Sequence, residues 1–157
     1  MEMLFVGGKI FDGENEPLED QGVLVQDGRI KRVAPAGEFS GFAGLTVDTA
    51  GGTLMPGLID CHVHLVGNAG PDLWHDLLSA PAGRIVMTVL NSALENLRGG
   101  VTAVRDCGGK DHLEFAVRDA INQGLVLGPT IYASGRMICM TGGHGNRIGR
   151  IADGVDE

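Results

Sequence analysis

One run constrains this chain more than any other: Met55-Pro56-Gly57-Leu58-Ile59-Asp60-Cys61-His62-Val63-His64-Leu65. An apolar stretch enters it, two histidines sit two apart near its end, and a glycine-bearing loop follows at Gly67. The pattern reads as a strand that delivers side chains to a functional loop. Residues two apart on a strand share a face. This reading puts Asp60, His62 and His64 on one side, and Cys61, Val63 and Leu65 on the other. The two imidazoles then stand about 6.5–7 Å apart at Cα, within reach of one metal ion. Zinc takes neutral imidazole nitrogens at about 2.0–2.1 Å, and its catalytic sites keep a position open for water. The plain alternative is two histidines on a half-buried strand with no ligand between them.

Beyond Pro56 the pattern alternates between strand and helix. Gly67-Asn68-Ala69-Gly70-Pro71 begins a loop expected to carry Trp74 and His75. His75 either faces a substrate or is a solvated loop histidine. Val86, Val89, Leu90, Ala93, Leu94 and Leu97 then recur at helical spacing, with Pro81 at the start and Gly99-Gly100 at the end. A second strand is expected over residues 101–107. Asp111 and Glu114 have the spacing of a capping box. Leu113, Ala116, Val117, Ala120 and Ile121 form a second apolar stripe, closed by Gly124. A third strand starts at Pro129. Strand, helix, strand, helix, strand predicts parallel βαβ units.

The first fifty-five residues read differently, as short strands and turns. Strands are expected over residues 3–6, 9–11, 23–26, 29–33 and 45–48. Asp27-Gly28 supplies the positive φ values of a two-residue type I′ hairpin turn. No candidate chemistry sits in this part, which reads as a small structural β-domain.

Composition narrows the function classes. The chain has 157 residues and a net charge of −8 with no basic stripe, so nucleic acid is not an expected partner. The N-terminal residues lack a basic region and a long apolar core, so neither a signal peptide nor a membrane span is expected. Cys61, Cys107 and Cys139 are odd in number. They read as reduced, buried strand thiols in a cytoplasmic protein.

Two further stretches carry candidate chemistry. Arg105-Asp106 ends the second strand, and is either a local ion pair that orients a loop or a contact for an anionic substrate group. Cys139-Met140-Thr141-Gly142-Gly143-His144-Gly145-Asn146 follows the third strand. It would place His144 on the same rim as His62 and His64, either facing substrate or as a loop histidine with no role.

The string Pro56-Gly57-Leu58-Ile59-Asp60-x-His62-x-His64 resembles the first barrel strand of the amidohydrolase superfamily. The Val104-Arg105-Asp106-x-Gly108-Gly109 and Thr141-Gly142-Gly143-His144-Gly145 strings are similar to one of its branches. That branch holds imidazolonepropionase-like enzymes and the prolidase and Xaa-Arg dipeptidase-like enzymes. The resemblance implies an α/β fold: a small β-sandwich segment over residues 1–55, then the first three βα units of a (βα)8 TIM-type barrel over 56–157. That barrel would be incomplete here, since about 250 residues are typical.

The resemblance also implies that His62 and His64 bind a divalent metal, zinc being expected, in a site of one or two ions. His144 and Arg105 would bind substrate. The activity implied for the parent protein is hydrolysis of a C–N amide bond in a dipeptide-like or cyclic amide. The family's carboxylated lysine has no counterpart, because Lys9, Lys31 and Lys110 all precede the third strand. No catalytic acid or base can be placed in this portion. The 157 residues alone are therefore expected to bind metal weakly and turn over nothing. A homo-oligomer, or pairing with a complementing remainder of the barrel, is the expected assembly. The competing function class is a non-catalytic metal-binding or self-associating half-barrel module.

Overall fold

A computed structural model describes residues 1–157, which fall into two compact units, Met1–Pro56 and Gly57–Glu157. The first unit holds β1 (Glu2–Val6), β2 (Lys9–Ile10), β3 (Gln21–Gln26), β4 (Arg29–Pro35), a 3-10 turn (Ala36–Phe39), β5 (Leu45–Asp48) and β6 (Thr53–Leu54). Four of the strands form a sheet in the order β4-β3-β1-β5, and β2 pairs with β6 in a second, two-stranded sheet. The β3–β4 hairpin turns on Asp27 and Gly28, both at positive φ (50° and 77°). Those are the values that make Asp-Gly the residue pair for this turn. Leu4, Val23 and Ala34 are the buried apolar side chains of this unit.

The second unit holds β7 (Leu58–Val63), α1 (Leu73–Ser79), α2 (Ala82–Arg98), β8 (Val101–Asp106), α3 (Glu114–Asn122), β9 (Thr130–Ala133), β10 (Ile138–Cys139) and β11 (Arg150–Ile151). β7, β8 and β9 lie in that order in one sheet, and both pairings are parallel. The expected mixed α/β arrangement with βαβ units is therefore present. Ile85, Val89 and Ala93 recur at i, i+4 and i+8 along α2, and all three are buried. They join Val104, Val117 and Ile131 in one apolar cluster. That cluster fixes β8 in the middle of the sheet, and β8 carries the residues that organise the site. No helix is long and apolar enough to cross a membrane.

Several local expectations are corrected. Trp74 and His75 lie on α1 rather than in a loop. Asp72 accepts a hydrogen bond from the His75 backbone N–H at 3.2 Å, and Leu77 buries against the core. A short helix with a side-chain cap thus replaces the predicted loop. Asp111 and Glu114 do not form a capping box. Asp111 and His112 both adopt left-handed φ (54° and 59°), whereas a capping residue takes an extended conformation. Leu113 sits at the cap position with no side-chain bond. The three cysteines are free as expected, but Cys61 is exposed and Cys107 and Cys139 are only partly covered.

Candidate metal centre

The site begins with a register slip. β7 pairs Asp60 with Val104, then Val63 with Asp106, so β7 has one residue more than β8 over this interval. An extra residue of this kind is a β-bulge, a device common at barrel rims and beside active sites that re-aims side chains. Its effect on Asp60 is direct. The Asp60 carboxylate turns onto the backbone N–H of His62 at 2.9 Å. Through this bond Asp60 braces the bulge, a role the sequence reading did not assign to it.

His62 and His64 do come together. Their ring centroids are 5.3 Å apart with planes at 71°. Val63, between them, packs against the apolar cluster, so the alternation of the strand sends the two imidazoles to the opposite, open face. His64 is further fixed, because its Nδ1 lies 2.8 Å from the Gly108 carbonyl oxygen. A carbonyl oxygen only accepts, so Nδ1 carries the proton and Nε2 presents a lone pair. This is how metal-binding histidines are oriented: one ring nitrogen donates to a backbone carbonyl and the other faces the ion. An open cleft of about 600 Å³ beside His64 is lined also by Asn68, Thr88, Asn91 and Ser92.

Asp106 holds the arrangement from behind. It is 0% exposed. Its Oδ1 accepts from the Gly108 N–H at 2.9 Å and its Oδ2 from the Leu65 N–H at 3.0 Å. One buried carboxylate therefore ties the residue after His64 to the residue whose carbonyl orients His64.

Two adjacent imidazoles, one with its Nδ1 proton committed to a carbonyl, have the chemistry to suit a divalent ion such as zinc. Only these two come together, and no group of three His, Cys, Asp or Glu side chains gathers in the chain. The remaining predicted residues are placed as follows. Arg105 is not paired with Asp106, because the two alternate to opposite faces of β8. Its Nε donates to the Cys61 carbonyl at 2.6 Å, and it lines a different open cleft with Cys107, Tyr132 and Ser134. His144 is exposed on the loop between β10 and β11, and its ring makes no hydrogen bond. That loop is closed by the short β10–β11 pairing, which the sequence reading missed. His75 is exposed on α1. The structure thus joins His62 with His64, and joins neither Arg105 nor His144 to them through a hydrogen bond or a common cleft.

Sequence reasoning also missed Glu114, which is 0% exposed with both carboxyl oxygens lacking a partner. Burial pushes its pKa up from the usual 4.5, and the nearby Asp106 carboxylate pushes the same way. A signal for it existed. Residues 114, 117 and 121 are spaced i, i+3 and i+7, which puts Glu114 on the buried stripe of α3.

Comparison with known proteins places the chain in a family. The amidohydrolase family model matches residues 53–157. Ochratoxinase of Aspergillus niger is 30% identical over 151 residues, covering 91% of this chain and 30% of that protein. Imidazolonepropionase of Ectopseudomonas mendocina is 47% identical over 60 residues, covering 37% of this chain and 15% of its own length. A solved prolidase, complexed with N-methylphosphonate-L-proline, matches with a TM-score of 0.80 at 31% identity, covering 99% of this chain and 41% of that one. The chain spans under half the length of each of these relatives. The family match runs through the histidine strand, the Asp106 loop and the His144 loop alike, and by it this chain belongs to the amidohydrolase family.

Proposed function

We propose that this chain carries the first metal-binding strand of a divalent-metal-dependent hydrolase of C–N amide bonds. His62 and His64 hold the ion, and zinc is the metal that suits them. The observation that carries the reading is the His64 Nδ1 bond to the Gly108 carbonyl at 2.8 Å, which leaves Nε2 free beside the His62 ring. A bound divalent ion supplies a water acidified towards neutrality and a Lewis acid for the scissile carbonyl. The chain's own residues orient that chemistry. Asp106 and Gly108 set the His64 ring, and the Asp60 carboxylate sets the backbone at His62.

The substrate class is a dipeptide-like or cyclic amide, supported by similarity to proteins named prolidase and imidazolonepropionase. Arg105 and His144 are the substrate-side residues: the His144 ring is uncommitted, and Arg105, though held to the Cys61 carbonyl through Nε, keeps its two terminal guanidinium nitrogens free of protein partners. The parallel three-stranded sheet is the opening part of a (βα)8 barrel, and the rest of the ligand set lies on strands this chain does not contain. The barrel is completed by a complementing remainder or by a second copy, in a cytoplasmic protein.

A catalytic zinc normally has three protein ligands. With two, the 157 residues bind Zn2+ weakly and hydrolyse no dipeptide. Competition titration of Zn2+ against a chromophoric chelator checks this. The expected result is weak binding that disappears in both His62→Asn and His64→Asn. Binding that survives either substitution would place the metal elsewhere and remove the basis of the reading.

A further inference from the structure

A carboxyl group that is fully buried and bonded to nothing calls for a physical reason, since such groups are costly and rare in folded proteins. Glu114 is one, and its surroundings supply the reason. An ideal Cβ built on Gly109 would lie 2.5 Å from Glu114 Oε2 and 3.1 Å from the Val66 side chain. The Glu114 carboxyl therefore fills the space that a side chain at residue 109 would need, and a larger residue there would have to displace it. Gly109 is held from its other side, because its N–H donates to the Gly135 carbonyl at 2.8 Å. The preceding residue, Gly108, donates to Asp106 and accepts from His64.

These contacts form a chain with a direction. Glu114, on the first turn of α3, sets Gly109. Gly109 and Asp106 between them set Gly108. The Gly108 carbonyl sets the His64 imidazole. We propose that Glu114 is a positioning residue for His64, a wedge beneath Gly109 that fixes the Gly108 carbonyl. It is neither a metal ligand nor a proton carrier. This rests on the reading of His64 as a metal ligand, but the ring geometry it explains exists without metal.

The wedge acts by shape. A neutral isostere therefore replaces it, removing it loosens the loop, and a new Cβ at residue 109 jams it. Glu114→Gln keeps the volume and shape of the side chain, and burial, which raises the Glu114 pKa, works in the same direction as this neutral replacement.

The test has two readouts on the same chain. The first is the His64 tautomer in the metal-free protein, read from imidazole 15N chemical shifts. The second is Zn2+ affinity by chelator competition. In wild type and Glu114→Gln, His64 is expected in the Nδ1–H form, with equal Zn2+ affinity. In Glu114→Ala, and separately in Gly109→Ala, the tautomer should become mixed and Zn2+ affinity should fall roughly 10–100-fold, as for other residues that orient metal ligands. The double variant should lose less than the two single losses combined, because the added methyl occupies the space the carboxyl vacates.

A merely structural Glu114 would lower the unfolding midpoint while leaving the tautomer unchanged in both single variants, and that result overturns the proposal. So does strict additivity in the double variant. If Glu114→Ala does not fold, Gly109→Ala against Glu114→Gln decides through the same tautomer signal. If wild type binds no Zn2+ at all, the metal reading fails, while the tautomer comparison still decides the role of Glu114.

Discussion

The same local device occurs in both units, and its surroundings differ. In the first unit, Asp48 accepts a hydrogen bond from the N–H two residues on, at Ala50, and both residues are exposed. In the second unit, Asp106 accepts from the N–H two residues on, at Gly108, and is completely buried. Such turns are common wherever aspartate ends a strand. The difference lies in the second oxygen. That of Asp106 takes the Leu65 N–H from another loop. Away from water, each of those N–H groups depends on the carboxylate, so the turn becomes a joint between two loops. In the first unit the buried side chains are apolar, whereas the second also buries two carboxyls, Asp106 and Glu114. Asp106, one of the two buried carboxyls, bonds the loop whose Gly108 carbonyl fixes the His64 ring.

The contrast breaks most sharply at Asp106 itself. Asp106→Ala strands two buried N–H groups, each worth about 1–3 kcal/mol when unsatisfied, so a loss of about 3–5 kcal/mol in urea unfolding is expected. His64 should lose its fixed tautomer in parallel. Asp48→Ala, the exposed counterpart, should stay within about 0.5 kcal/mol. Equal losses at the two positions would mean that burial is not what distinguishes them.

A smaller effect separates packing from aiming. Ile85→Ala, on the buried face of α2, should cost about 2–4 kcal/mol through the cavity it leaves. It should leave the His64 15N shifts unchanged, because Ile85 itself touches only the apolar cluster, while the polar link from α2 to the His64 loop runs through Ser92 and the Gly67 carbonyl. Leu4→Ala in the first unit should cost about the same. A tautomer change in Ile85→Ala would show that the imidazole is held by general packing rather than by the Asp106 loop.

Much of this frame was legible in the sequence, for physical reasons that differ by element. The α2 stripe and the Asp27-Gly28 hairpin were readable because helical periodicity and turn stereochemistry are local. The pairing of His62 with His64 followed from strand alternation. What failed depended on groups distant in sequence. The bulge that Asp60 braces appears only once β7 is registered against β8. The roles of Asp106 and Gly108 need a strand more than forty residues from His64. Asp111 and Glu114 had the spacing of a capping box, yet the backbone went left-handed at Asp111 and His112, and Glu114 was drawn onto the buried face. The helical spacing of 114, 117 and 121 was a local clue to that burial, and the capping motif masked it.

The smallest expected effect is a difference in the sign of pH dependence between the units. Glu114 has its pKa raised above the usual 4.5 by burial and by Asp106. Its folded state therefore holds a proton that the unfolded chain releases. The stability this contributes is fully present below about pH 4.5 and is lost as pH rises through the higher folded value. Asp12 runs the other way. The Asn15 side chain, with the Asn15 and Glu14 backbone N–H groups, holds its carboxyl down at about 2 from the usual 3.8. Its contribution is present above 3.8 and is lost as pH falls towards 2. Urea midpoints measured from pH 3 to 8 separate the two. Relative to Glu114→Gln, wild type should weaken on going from pH 4.5 upward. Relative to Asp12→Asn, wild type should weaken only on going below pH 4. If Glu114→Gln tracks wild type at every pH, the carboxyl keeps its ordinary pKa in the fold. The buried acid beneath Gly109 would then have found a partner, and the wedge would be held by a bond rather than by shape.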